Sequence, residues 1–67
     1  MAVVKVVELL AQSPDGWEAA TKEALRAASK TIRNIQSIYV ENMQAVVEDN
    51  KITAYRVNVK ISFKVED

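Results

Sequence analysis

The clearest hydrophobic pattern in the chain is an alternation over residues 52–66. Alternation with a period of two is typical of a strand with one buried face and one wet face. We therefore predict a strand over residues 52–66. Its apolar face carries Tyr55, Val57, Val59, Ile61, Phe63 and Val65, and its polar face carries Arg56, Asn58, Lys60, Ser62, Lys64 and Glu66.

Two further segments have strand character. Residues 3–10 are rich in valine, and apolar side chains occur on both faces of the predicted strand, which indicates that both faces are covered. A domain this small supplies one covering layer, so we expect the other to come from a second chain. Residues 36–48 form the next predicted strand, and the Asp49-Asn50 pair that follows indicates a tight hairpin turn.

A helical pattern separates the first two strands. Ser13 is a good N-cap, Pro14 suits the first helical position, and Asn34 is a plausible last residue. Apolar and small side chains recur between them at spacings of three and four, which predicts an amphipathic helix. That stripe consists of Trp17, Ala20, Ala24, Ala28, Thr31, Ile32 and Ile35, with Leu25 at its border.

These elements define an α+β fold with the order β-α-β-β in a single domain, residues 1–67. The helix returns the chain so that the first two strands run in the same direction. The third strand, reached through the hairpin, can lie between them and pair antiparallel with both. We predict a three-stranded antiparallel sheet wrapped around one helix.

Composition narrows the possible functions. The chain contains no cysteine and no histidine, which removes disulfides, thiolate zinc sites and imidazole catalysis. Its formal net charge is zero and it has no basic run, so nucleic acid is not an expected partner. No apolar run has the length of a membrane helix, and a soluble, cytoplasmic, non-enzymatic protein is expected. A core in 67 residues is marginal, which favours oligomerisation.

A few residues could carry chemistry. Trp17 could stack on a ligand, although its place in the helical stripe favours packing. Glu48 and Asp49, with Glu41 nearby, could bind a hard cation such as Ca²⁺, although a solvated acidic turn is the simpler interpretation. Arg56 lies in a positive row with Lys60 and Lys64, and we expect it to pair with a carboxylate, either Glu41 or one from another subunit.

The whole chain resembles the dodecin family without a gap. The resemblance rests on Ser13-Pro14, Trp17-Glu18-Ala19-Ala20, Ala24, Arg33-Asn34-Ile35, Glu48-Asp49-Asn50-Lys51, Tyr55 and Phe63. It implies a homododecamer, a hollow shell of cubic symmetry. The best-known dodecins store or sequester flavins, with the flavin rings stacked between tryptophans near two-fold axes.

Two departures from this family change the expected ligand. Ser37 stands where the resemblance places the flavin-stacking tryptophan, and Arg56 stands where it places a glutamine that hydrogen-bonds the flavin. A serine cannot stack on a ring, and arginine has no acceptor. Lys51-Ile52-Thr53, Tyr55-Arg56 and Ser62-Phe63-Lys64 are similar to a tryptophan-less branch, calcium dodecin. We therefore expect a shell that binds small ligands or divalent cations, with flavin storage and a ligand-free structural role as the alternatives.

Overall fold

The computed structural model describes residues 3–65, which form three strands and one helix. These are β1 (Val3–Ser13), α1 (Trp17–Ala28), β2 (Ile35–Glu48) and β3 (Lys51–Val65). The strand order is β1-β3-β2, and β3 pairs antiparallel with both neighbours, which confirms the predicted topology. The predicted place of Glu66 on the third strand lies outside the described residues.

The helix is shorter than predicted at both ends. Ser13 is not its N-cap, because the pairing of β1 with β3 continues to Ser13 opposite Tyr55. The Ser13 hydroxyl instead accepts a hydrogen bond from the Asp15 amide at 3.1 Å, and Gly16, with φ 137°, precedes the first turn.

The C-terminal end of the helix was also predicted too late. The helix ends at Ala28, whose carbonyl accepts bonds from the amides of Thr31 at 3.1 Å and Ile32 at 2.9 Å. Asn34 then adopts a left-handed conformation (φ 62°) and leads into β2. Ile32 and Ile35 still pack against the core, because this turn leaves them facing the sheet.

The core lies between α1 and the centre of β3. Val57, Val59 and Ile61 are fully buried, which confirms the predicted apolar face of the third strand. The buried residues of the helix are Ala20, Ala24 and Ala28. Because alanine side chains are short, the helix axis can approach the sheet closely, and the small core is filled mainly by β3.

The molecule is much longer than its helix. Twelve helical residues span about 18 Å at ~1.5 Å per residue, whereas the principal-axis extents are 50 × 20 × 13 Å. The radius of gyration is 13.7 Å, against about 11 Å for a compact chain of this length. The β2–β3 hairpin therefore extends past the helix, and we call residues 46–53 the hairpin arm.

The turn at the tip of the hairpin arm confirms the prediction made for it. Asp49 has φ 51° and Asn50 has φ 63°, so both central residues are left-handed, as a type I′ turn requires. Neither residue is glycine, but aspartate and asparagine tolerate this conformation better than other side chains. Glu48 and Lys51 close the ladder on either side of the turn.

Apolar side chains remain uncovered on the single chain. The exposed ones in β1 are Val3, Val4, Val6 and Leu10, and those on the hairpin include Tyr39, Met43, Val47 and Ile52. The accessible surface is 5078 Å², about 800 Å² more than the size scaling for compact monomers gives. The described residues contain no helix long and apolar enough to span a membrane.

Candidate functional site

The polar face of β3 is turned away from α1 and forms the centre of the candidate site. Residues directly opposite each other in antiparallel strands share a face, so the register shows which neighbours lie beside each polar residue. Gln12 and Gln44 flank Arg56 on either side, and Ser37 lies opposite Ser62. We call this surface the helix-distal face.

Ser37 lies at the start of β2, at one end of the helix-distal face. Its hydroxyl is hydrogen-bonded to the hydroxyl of Ser62 on β3. A shallow groove of about 290 Å³ lies beside it, and its lining is mainly aliphatic. The groove is lined by Leu25, Ile35, Gln36, Ser37 and Ile38. The edge of β2 beside Ser37 therefore offers a small apolar concavity with one hydroxyl and no aromatic ring among its lining residues.

Arg56 lies toward the other end of the same face. Its Nε and Nη2 atoms donate hydrogen bonds to the Gln12 side-chain oxygen at 3.1 and 2.8 Å. Arg56 is half-buried, and Gln12 is its direct register partner on β1. The guanidinium is thus held across the sheet by a neutral amide, and its remaining N–H donors are available to a further acceptor.

Ser37 and Arg56 are not neighbours within one chain. The partner of Ser37 on β3 is Ser62, which is six residues from Arg56 and therefore about 20 Å away along the strand at ~3.3 Å per residue. One chain does not bring the two positions into a single pocket. A pocket containing both would combine Ser37 of one copy with Arg56 of another.

The predicted pairing of Arg56 with Glu41 is wrong within the chain. Glu41 instead lies 3.2 Å from the Lys60 ammonium, and both side chains are partly exposed. The cause is a register shift in β2 between Val40 and Asn42, which places Glu41 in a bulge beside Lys60. The strand alternation did not reveal this bulge.

The acidic candidates for a cation site are dispersed. Glu48 and Asp49 lie at the exposed tip of the hairpin arm, whereas Glu41 is seven residues back along β2 from Glu48, about 23 Å at ~3.3 Å per residue. Within residues 3–65, no three acidic side chains converge on a possible metal position. A full set of ligands from these carboxylates would therefore need more than one copy of the chain.

Trp17 packs against the hairpin, as its position in the helical stripe indicates. Its ring meets Tyr55 edge to face with the centroids 4.9 Å apart, and its Nε1 donates to the Gln44 carbonyl at 3.0 Å. The side chain is 39% exposed. Trp17 thus fixes the start of α1 to the base of the hairpin arm.

Two residues of the helix-distal face were missed by the sequence reasoning. Gln12 could have been found from the pairing of β1 with β3, which places it opposite Arg56 once the register is known. Asn58 carries a buried side-chain oxygen that has no hydrogen-bond partner within residues 3–65. No sequence signal distinguishes it from the other polar residues of β3.

The residues whose pKa values are shifted lie on α1 and not on the helix-distal face. A side-chain hydrogen bond from Arg26 lowers the pKa of Glu23, and the same bond raises the pKa of Arg26. The two residues lie three positions apart on α1, and their side chains are 47% (Glu23) and 59% (Arg26) exposed. They form a surface ion pair and add nothing to the chemistry of the candidate site.

The family model and the relatives that this chain matches all belong to one family. The family model described as Dodecin matches residues 3–66. The calcium dodecin of Mycobacterium tuberculosis is 36% identical over 66 residues, which cover 97% of this chain and 92% of that protein. The dodecin of Thermus thermophilus is 32% identical over 65 residues, which cover 97% of this chain and 94% of that protein.

Solved structures of the same two relatives have this fold. A point mutant of the T. thermophilus dodecin superimposes with a TM-score of 0.94 at 31% identity, and the match covers 100% of both chains. The M. tuberculosis protein, described as calcium-chelating with a novel calcium-binding site, superimposes with a TM-score of 0.85 at 30% identity, and the match covers 96% of this chain and 91% of that one.

Proposed function

Because this chain belongs to the dodecin family, we propose that it assembles as a hollow homo-oligomeric shell of twelve copies that binds or sequesters small ligands or divalent cations. In this role the protein holds its ligand without catalysing a reaction. The observation that carries the proposal is the amount of apolar surface that the single chain leaves uncovered.

The uncovered surface has the size expected of a protein interface. The excess of about 800 Å² over a compact monomer equals one partner's share of a standard interface. Val4, Val6 and Leu10 are exposed on β1, and Val47 and Ile52 are exposed on the hairpin arm. Exposed apolar residues on two separate elements support contacts with more than one neighbour, as a closed assembly requires.

Flavin is a poor candidate for the ligand of this shell. The hydroxyl of Ser37 is engaged with Ser62, and it offers no stacking surface, which is worth roughly 1–3 kcal/mol per ring by analogy with nucleobases. Arg56 is engaged with Gln12 and presents donors alone. Both changes weaken a flavin site, whichever copies contribute the two residues.

A divalent cation is supported by the relative that is named for calcium. Ca²⁺ takes about six to eight oxygen ligands, more than one chain brings together here. We propose that Glu41, Glu48 and Asp49 supply carboxylates in the assembly, where acids from neighbouring copies can converge. The glutamate in the bulge and the two acids at the turn are the candidates to test.

The test has two independent parts. Light scattering or native mass spectrometry should give a mass near twelve chains, and a monomer or dimer would refute the shell. Calorimetric titration with Ca²⁺ and Mg²⁺, after removal of bound metal, should then show saturable binding to the assembled protein. The variant Glu48→Gln with Asp49→Asn should weaken that binding, whereas the matched surface variant Glu18→Gln should not.

The alternatives give different results in the same samples. Purified protein that is yellow and carries bound flavin would favour flavin storage. Assembly without saturable binding of any cation or flavin would favour a ligand-free structural role. A change of mass in the Glu48 and Asp49 variant would show that these acids stabilise the assembly instead of holding a cation.

A further inference from the structure

The connection between β1 and α1 places a carboxylate directly before a glycine. Pro14 and Asp15 form a turn after the end of β1, and Gly16 precedes the first residue of α1. Asp15 is exposed to solvent. We call Asp15 and Gly16 the acid–glycine step. It shares no residue with the cation or flavin candidates, so a reaction at this step does not rest on the proposed function.

The carboxylate of Asp15 is not held by any neighbour in the described part of the chain. The Asp15 amide donates a hydrogen bond to the Ser13 hydroxyl at 3.1 Å, which fixes the main chain at this position. Within residues 3–65, however, the carboxylate makes no hydrogen bond and no ion pair. The side chain can therefore turn about its Cα–Cβ bond and bring its Cγ atom to the following amide nitrogen.

The amide nitrogen of Gly16 is accessible to that carboxyl group. The Gly16 carbonyl accepts a hydrogen bond from the Ala20 amide at 3.0 Å, but within residues 3–65 the Gly16 N–H donates no hydrogen bond of normal geometry. Its φ of 137° is one that side-chain-bearing residues rarely adopt, which explains the glycine. A Cβ atom built at Gly16 would meet no heavy atom within 4 Å, so the space beside the nitrogen is open.

We propose that the acid–glycine step is a self-modification site, at which Asp15 converts to isoaspartate through a five-membered succinimide ring. The Gly16 nitrogen attacks Asp15 Cγ, a bond forms between these two atoms, and the amide proton leaves with the carboxyl hydroxyl as one water molecule. Water then opens the ring at either of its two carbonyl groups. Opening at the main-chain carbonyl leaves a chain that runs through Cγ, whereas opening at Cγ restores aspartate. The reaction changes no oxidation state and needs water alone.

Asp49 provides an internal comparison for this reaction. It is also exposed, but it is followed by Asn50, whose side chain hinders attack by the nitrogen. Both residues are held in left-handed conformations in the two-residue turn, between paired strands. The same carboxyl chemistry therefore occurs once beside an open nitrogen and once beside a hindered one.

Isoaspartate at position 15 would lengthen the main chain by one carbon atom just before α1. The Gly16 carbonyl accepts the first helical hydrogen bond, and the next residue, Trp17, donates through Nε1 to the Gln44 carbonyl at 3.0 Å. The added atom displaces these groups relative to the sheet, so it weakens the contact that fixes α1 to the base of the hairpin arm. Modified chains should therefore unfold at a lower urea concentration than unmodified chains.

The test is incubation of the native, assembled protein in water labelled with heavy oxygen, below its unfolding temperature, followed by peptide mass spectrometry with electron-transfer fragmentation. Label and isoaspartate should accumulate at Asp15 at least about tenfold faster than at Asp49, a difference of ~1.4 kcal/mol in activation free energy. Asp15→Glu should abolish both signals at this position, because the ring would need a sixth member. Gly16→Ala should slow them by roughly tenfold, because its methyl group hinders the nitrogen.

Urea below the unfolding transition should leave the rate at Asp15 unchanged, because the reaction uses the native turn. A rate that rises with the unfolded fraction would overturn the proposal, since the open Gly16 amide of the folded chain would then be irrelevant. Equal rates at Asp15 and Asp49 would overturn it as well. The same conclusion would follow from an absence of label at Asp15 in the native assembly, or from an unchanged signal in Asp15→Glu.

Discussion

Two isoleucines on β3 allow the assembly to be tested with one substitution type. Ile61 is fully buried in the core, whereas Ile52 is 56% exposed on the hairpin arm, opposite Val47. Replacement by alanine removes the same three carbon atoms at both positions. The two variants differ in the surroundings of the side chain and not in its chemistry.

The expected costs follow from burial. Ile61→Ala should cost about 2–5 kcal/mol per chain, because it opens a cavity between the sheet and the helix alanines. Ile52→Ala should change the free energy of a lone chain by less than about 0.5 kcal/mol, since the side chain is largely in water. If a neighbouring copy covers Ile52, the same variant should cost about 2 kcal/mol or more, at ~0.8 kcal/mol per buried carbon.

The assay is urea unfolding with native mass spectrometry over a wide range of protein concentrations. Ile61→Ala should lower the unfolding midpoint at every concentration. Ile52→Ala should lower it at concentrations where the native protein is assembled and leave it nearly unchanged where dilution has released single chains, and the population of the full assembly should fall. An intact assembly with an unchanged midpoint for Ile52→Ala at all concentrations would refute the burial of the hairpin arm between copies.

Three further outcomes are expected. Native protein should bind riboflavin at least about tenfold more weakly than the variant Ser37→Trp with Arg56→Gln, a difference of ~1.4 kcal/mol, by fluorescence quenching; equal affinity would contradict the stacking argument. Trp17→Phe keeps an aromatic edge but loses the bond to a β2 carbonyl, and it should cost about 1 kcal/mol in urea unfolding. The pKa of Glu23 is lowered on folding, so its contribution to stability is present above the ordinary glutamate pKa of about 4.3 and is lost at lower pH; the stability difference between native protein and Glu23→Gln should shrink there.

Much of the fold could be predicted from the sequence because its strands have strong local patterns. The alternation around Val57, Val59 and Ile61 determines which face of β3 is buried, and Asp49-Asn50 fixes the hairpin. The first and last residues of the helix were harder to predict from the sequence. Ser13 satisfies a capping pattern, but the ladder with β3 competes for the same residue and continues through it.

The candidate site was less predictable than the fold. The pairing of Glu41 with Lys60 depends on a bulge, which has no reliable signature in a single sequence. The separation of Ser37 from Arg56 depends on register over six residues of β3 and not on any property of either residue. Features that depend on pairing between distant segments therefore could not be predicted from the sequence, and the structure was needed to find them.

The left-handed turn at Asp49 and Asn50 limits how the hairpin can change in length. It joins β2 to β3 with a two-residue loop, and such a short loop fixes the register of the two strands near the turn. Inserting one residue into β3 between the turn and the core would exchange the faces of all residues on one side of the insertion, because side chains alternate. Two residues inserted into each strand would keep both the alternation and the pairing, and the arm would lengthen by about 7 Å at ~3.3 Å per residue. Matched insertions of even length in the two strands are therefore the ones this hairpin can accept while Val57, Val59 and Ile61 stay beneath the helix.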